Sequence, residues 1–125
     1  MPYVSLALKA QHNGLSVNKK NQLIRRFTEV LKDTLGKNPA TTLVVIHENN
    51  EESANRGNTA LLYQVTREKG RPTEDEKDTL RKEGIRILKE VLGHGDEPVD
   101  IQINEISTDN WGLGGESITE KRKKE

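Results

Sequence analysis

A six-residue segment of this chain recurs almost unchanged. Leu31–Gly36 reads LKDTLG, and 57 positions later Leu88–Gly93 reads LKEVLG. The same offset of 57 aligns Leu23 with Leu80, Ile46 with Ile103, Glu48 with Glu105 and Gly57 with Gly114. It also aligns Ser16 with Thr73, both residue types that favour helix N-caps. A register kept over six landmarks without a gap reads as two copies of one folding unit. The copies run from about 2–57 and 61–115 and join near Asn58–Ala60. The full length, 125 residues, is that of one domain.

Each copy predicts the order β-α-β. In the first, Tyr3–Leu8 alternates with period two, with Val4, Leu6 and Leu8 on one face. His12-Asn13-Gly14 breaks the strand, and Ser16 offers an oxygen to the orphan amides of a helix start. Leu23, Ile24, Phe27, Val30, Leu31 and Leu35 follow at helical spacing. Gly36 suits a left-handed C-cap, and Thr42–His47 is rich in β-branched residues. In the second copy, Leu61–Val65 is the strand and Thr73-Glu74-Asp75-Glu76 a capping box. Leu80, Ile85, Leu88, Val91 and Leu92 form the helix stripe, and Val99, Ile101 and Ile103 alternate in the closing strand.

A helix crossing between two strands makes them parallel and the crossover right-handed. The fold class is therefore α/β (α+β): a tandem β-α-β repeat giving a four-stranded sheet with two helices on one face. Val44 and Ile46 are expected on the other face, which needs a cover. Hydrophobic residues make up only 31% of the chain, so that cover is expected from another subunit.

Composition removes several function classes. Lys+Arg and Asp+Glu are 20 each, so net charge draws the chain toward neither nucleic acid nor an anionic membrane. No apolar run approaches a membrane span, and Val4–Leu8 is too short for a signal-peptide core; a cytoplasmic protein is expected. Without cysteine there are no disulfides, thiolate metal sites or cysteine nucleophiles. His12, His47 and His94 are scattered without paired-ligand spacing, so no metal site is expected. Gly112–Gly115 lacks the Lys-Ser/Thr of a phosphate loop, and Lys121–Lys124 reads as a solvated, frayed basic tail.

The chain opens Met1-Pro2. Removal of the initiator methionine before so small a residue leaves proline as a free secondary amine at the start of a strand. An α-amino group titrates near 8, and burial in an apolar pocket lowers that value. Such an amine can take and return a proton near neutrality, as general acid–base catalysis requires.

The initial proline, the duplicated β-α-β unit and the Trp111-Gly112-Leu113-Gly114-Gly115 hairpin after the last strand occur together. This combination resembles the 4-oxalocrotonate tautomerase family of the tautomerase superfamily. There a short β-α-β chain begins with a catalytic proline and ends in an aromatic-Gly-x-Gly-Gly hairpin. Gly70-Arg71, the acidic helix start and Asp78-Thr79-Leu80 are similar to that family's strand-to-helix junction. The resemblance extends to its fused members, in which one chain holds two units and three chains assemble. It implies a tautomerase-like fold, a homotrimer, no cofactor, and a keto or enol carboxylate as substrate. Pro2 would remove a proton beside a carbonyl or its enol and return it at the distal carbon of a 2-hydroxydienoate. Arg71 and Arg67 lie where the family's substrate-binding arginine sits, with Lys9 and Arg56 as further cations and Trp111 as an apolar wall.

The copies depart from the family pattern unevenly. Thr59 stands where the second copy would have its proline, and Ala54 where the first would have its aromatic residue. His12-Asn13-Gly14 replaces the strand-end arginine of the first copy. The closing-strand arginine is missing from both, with Leu43 or Val44 there in one and Asp100 in the other. Two other readings stand beside the tautomerase. One is a related proline-dependent dehalogenase, hydratase or decarboxylase. The other is a non-catalytic ferredoxin-like binding module, for which β-α-β-β-α-β is also the element order.

Overall fold

The computed structural model describes residues 2–9, 15–49, 59–93 and 99–125. The first copy forms β1 (Pro2–Lys9), α1 (Val17–Leu35) and β2 (Leu43–Asn49). The second forms β3 (Thr59–Thr66), α2 (Glu74–Leu92) and β4 (Val99–Ile106). β1 and β3, and likewise α1 and α2, begin and end 57 residues apart, so the repeat in sequence is a repeat in structure.

The helix ends follow from local chemistry. Ser16 accepts from the Lys19 amide at 3.1 Å, and Gly36 closes α1 at φ 68°. At α2 the capping box is reciprocal: Thr73 Oγ1 accepts from the Glu76 amide at 3.2 Å, and Glu76 Oε1 from the Thr73 amide at 2.8 Å.

The sheet runs β2-β1-β3-β4. β1 is parallel to β2 and β3 to β4, while β1 and β3 meet antiparallel. Val4, Leu6, Leu61, Tyr63 and Val65 face the helices and are buried against Leu23, Phe27, Leu31, Leu80, Ile87 and Leu88. The Phe27 and Tyr63 rings meet edge to face at 6.1 Å.

Three expectations about which side chains face the core need correction. Val44 and Ile46 pair with Val4 and Leu6, so they pack on the helix side. Leu43 and Val45 lie on the other face instead, with Tyr3, Ala7, Leu62 and Ile106. Side chains alternate along a strand, and pairing register, which the pattern of one strand does not carry, decides which set faces the core. In α2, Ile87 is fully buried while Ile85 is half-buried, because Gly84 fills a core position that a search for apolar side chains passes over. Ile24 of α1 is exposed.

The glycine hairpin forms as expected: β5 (Gly112–Leu113) and β6 (Glu116–Ser117) pair antiparallel. Gly114 and Gly115 between them both take positive φ, 65° and 88°, which the two-residue turn demands and side chains resist. The basic terminus is not frayed. It forms α3 (Ile118–Lys123), capped by Ser117, with Ile118 buried and Arg122 ion-paired to Glu68.

Candidate active site

Pro2 is buried as the first residue of β1, opposite Val65 of β3. Its neighbour Tyr3 pairs with Leu43 at the start of β2. The start of β1 therefore sits among the start of β2 and the ends of β3 and β4. After β4, a single 3-10 turn, Thr108–Asn110, reverses the chain and delivers Trp111 and the hairpin to the same end. Ser107 Oγ accepts from the Asp109 amide at 3.2 Å to open that turn, and the Ile118 amide donates to the Trp111 carbonyl at 2.8 Å.

Between these segments lies a cleft of about 460 Å³. Pro2 and Trp111 line it together with Tyr3, Thr41, Leu43, Gln64, Ile106, Asn110, Gly112 and Leu113. None of these carries a charged side chain. Leu43 and Ile106 give hydrocarbon, and Tyr3, Thr41, Gln64 and Asn110 give neutral polar groups. Leu43 has one of the two positions at which the family pattern places its closing-strand arginine; Val44, the other, points to the helices.

Of the expected substrate residues whose side chains are described, only Trp111 meets Pro2 in this cleft. Arg67 follows Val65 by two residues, its amide donating to the Ile106 carbonyl at 2.8 Å. Its side chain is largely exposed, with Glu105 at 3.6 Å. Glu105 also pairs with Lys77 at 3.1 Å. Arg67 is not among the cleft's lining residues: its backbone reaches the wall at Ile106, and its side chain lies beside Glu105, only loosely engaged.

Arg71 is held elsewhere. Its Nε donates to Glu76 Oε2 at 2.9 Å, and its Nη2 to the Thr34 carbonyl in the last turn of α1 at 3.0 Å. It lines a separate cavity of about 300 Å³ with Leu35, Lys37, Thr66, Glu68, Lys69, Pro72 and Arg122. No described residue lines both cavities. The Arg71 hydrogen bond, followed by that from the Thr73 amide, pulls the Glu76 carboxyl down to about 2. In this chain Arg71 satisfies an orphan carbonyl of α1 and braces the first turn of α2.

Lys9 ends the strand that Pro2 begins, roughly 23 Å away at strand rise; its side chain and Arg56 lie outside the described residues. Among the described residues no His, Asp or Glu group is arranged to hold a metal ion. No described helix is long and apolar enough to cross a membrane. Tyr3, Thr41, Leu43, Gln64, Ile106, Asn110 and Leu113 were not singled out as wall residues from sequence. Leu113 carries a signal, lying inside the glycine motif, and so does Leu43, at one of the two positions of the family's closing-strand arginine.

Comparison with known proteins places these features in context. The profile of a family described as "Tautomerase enzyme" matches residues 2–59. A probable tautomerase of Helicobacter pylori (strain J99) is 35% identical over 57 residues, which cover 46% of this chain and 84% of that protein. Probable tautomerase K2 of Dickeya dadantii (strain 3937) is 28% identical over 123 residues, 98% of this chain and 96% of that protein. Among solved structures, Pt0534 inactivated by 2-oxo-3-pentynoate has TM-score 0.75 and 26% identity, covering 95% of this chain and 98% of its own. The R7 fused 4-OT wild-type asymmetric trimer shares the fold, with TM-score 0.76 at 19% identity over 96% and 98% of the two chains.

Proposed function

This chain belongs to the tautomerase family, and on that footing we propose that it is a proline-dependent isomerase of small keto or enol carboxylates. In this reading, loss of Met1 leaves Pro2 as a secondary amine in the cleft. The amine accepts the enol proton of a 2-hydroxydienoate. The ammonium so formed returns a proton to the distal carbon of the conjugated system, giving the 2-oxo-3-enoate. Atoms and charge balance without a redox partner.

The observation that carries the reading is the shared cleft of Pro2 and Trp111, whose described walls are uncharged. Such walls disfavour the ammonium and keep the amine available as a base near neutral pH. The substrate class draws support from Pt0534, inactivated by a 2-oxo acid conjugated to a triple bond. The hydratase and dehalogenase readings need an acid to activate water, and no described wall residue is acidic.

For the substrate carboxylate we favour Arg67, whose amide bonds to the cleft residue Ile106 and whose side chain has a weak partner, over Arg71, which is committed to Glu76 and Thr34. The assembly in this reading is a homotrimer. The sheet face away from the helices exposes Leu43 and carries Val45, Leu62 and Ile106, and the R7 relative is a trimer.

The test is an assay on a panel of 2-hydroxydienoates, with the mature mass determined. Mature protein should begin at Pro2, and Pro2→Ala should lose roughly a hundredfold or more in kcat/KM. The profile of kcat/KM should have an ascending limb between about pH 5 and 8. Retained Met1 in active protein would end the proposal, because an acylated proline nitrogen is not a base. Residues fused ahead of Pro2 should abolish isomerisation, whereas a ferredoxin-like binding module would tolerate them.

A further inference from the structure

The wall of the cleft continues into α3. Asn110, Trp111, Gly112 and Leu113 line the cleft, and α3 lies directly behind them. Its first residue, Ile118, is buried and donates to the Trp111 carbonyl at 2.8 Å. Thr119 Oγ1 lies 2.6 Å from Asp109 Oδ1 and 2.7 Å from Thr108 Oγ1, joining the helix to the turn that precedes Trp111. These contacts lock α3 and the Trp111 wall into one piece.

A helix of six residues does not hold its own position in water. At the far end Lys124 Nζ holds Glu116 Oε2 of the hairpin at 2.7 Å, and Arg122, which ion-pairs with Glu68 Oε1, ties the helix to the turn after β3. Glu68 lies two residues beyond β3, and its other oxygen takes Lys37 Nζ at 3.0 Å. Lys37 is itself fixed, 3.0 Å from Thr66 Oγ1, just after the cap of α1. The turn bearing Glu68 is closed by paired backbone bonds with Arg71, at 2.9 and 3.1 Å. Partial burial raises the Glu68 carboxyl, but the hydrogen bonds from Arg122 and Lys37 prevail and bring it down to about 2. Glu68 is thus a charged anchor over the whole working range.

We propose that Arg122 is a positioning residue for the Pro2 cleft: its ion pair with Glu68 ties α3 to the turn after β3 and so fixes Trp111 against Pro2. The proposal rests on the reading of that cleft as the reaction site. Arg122 touches no cleft atom and acts through the helix it anchors.

Trp111 is the only tryptophan in the sequence, so its fluorescence reports the wall without reference to activity. In Arg122→Gln and in Glu68→Gln, Trp111 emission should shift to the red and become more open to acrylamide, with far-UV dichroism unchanged. Arg122→Lys, which keeps the charge, should return toward wild type. With a 2-hydroxydienoate, kcat/KM should fall about fivefold in Arg122→Gln, mainly through kcat, because a loosened wall spoils orientation. Wild-type Trp111 emission and quenching in both Gln variants would overturn the proposal. If wild-type protein isomerises no dienoate, the functional reading fails, and the fluorescence still decides the role of Arg122.

Discussion

Pro2 stands directly opposite Val65 in the antiparallel β1–β3 pair. The first residue of one copy thereby meets the last buried apolar residue of the other copy's first strand. The cleft is consequently built from both copies: Pro2, Tyr3, Thr41 and Leu43 from the first, and Gln64, Ile106 and the hairpin from the second. Thr59, which opens β3 as Pro2 opens β1, has its nitrogen in a peptide bond. The divergence between the copies is complementary, one keeping the proline and the other the aromatic wall.

The placement of the two arginines separates their roles. Arg67→Ala should lower kcat/KM by ten- to a few hundred-fold, about 1.5–3 kcal/mol for a charged hydrogen bond to substrate, with little effect on stability. Arg71→Ala should leave the kinetics near wild type and lower the urea midpoint, because Thr34 and Glu76 lose their donor. Steady-state kinetics and urea melts of both variants check this. The reverse pattern would move the substrate carboxylate into the Arg71 cavity.

Gly84 is a second consequence of the core geometry. A Cβ there would lie 2.7 Å from Leu61 Cδ2 and 2.9 Å from Tyr63 Oη. The Tyr63 hydroxyl donates to the Leu80 carbonyl at 2.9 Å, and burial, helped by Glu83, pushes its ionisation far up, so it stays a neutral donor. Gly84→Ala gains about 1 kcal/mol in helix propensity but should still destabilise, because overpacking a filled core costs about 1–3 kcal/mol and here also disturbs that bond. A denaturant titration showing a more stable variant would refute the close packing.

The strands and helices were legible in the sequence because each element repeats its own signals. Ser16 and Thr73, Gly36 and Gly93, and the alternation around Leu6 and Leu61 are local. The face presented by Val44 was not legible, since it depends on pairing with Val4. Arg71 shows the same limit. Its type and place in the junction suggested a carboxylate ligand, yet the acceptor at Thr34 lies 37 residues away in the chain. The Trp111 wall was readable because the glycines at 114 and 115 encode their own turn. The remaining walls, such as Gln64 and Asn110, are ordinary polar residues that become a site only by being brought together.

Leu43 invites a gain of function. It is 56% exposed and lines the cleft near Pro2. Leu43→Arg would place a cation where the family pattern has one. For dicarboxylate dienoates KM should drop, and kcat/KM should rise about tenfold if a charged hydrogen bond forms. For monocarboxylates the gain should be smaller. Parallel kinetics on the two substrate types check this; equal effects on both would place the new side chain outside the cleft.

Acid should unfasten the same elements that hold the cleft's surroundings. The ordinary glutamate value here is 4.5, and Glu68 and Glu76 are each lowered to about 2 in the folded chain. A depressed folded value means that the unfolded chain takes up protons first as pH falls. The stabilisation is therefore full above about 4.5 and is lost as pH drops toward 2. Glu68 should contribute more than Glu76. It is held between two cations, of which Lys37 is little exposed, whereas Glu76 faces the half-exposed Arg71 alone, a pair that water screens more strongly. Glu76→Gln keeps a capping-box side chain and removes only the charge, and Glu68→Gln keeps an acceptor for Lys37. Urea midpoints measured from pH 6 to 2.5 should fall for wild type, less steeply for Glu76→Gln and least for Glu68→Gln. Because α3 is anchored on Glu68, red-shifting of Trp111 should precede the main unfolding transition in wild type as pH drops, and Glu68→Gln should show it already at pH 6. Midpoints with the same pH slope in all three proteins would mean that these carboxylates are paired equally well in the unfolded chain, contrary to the geometry.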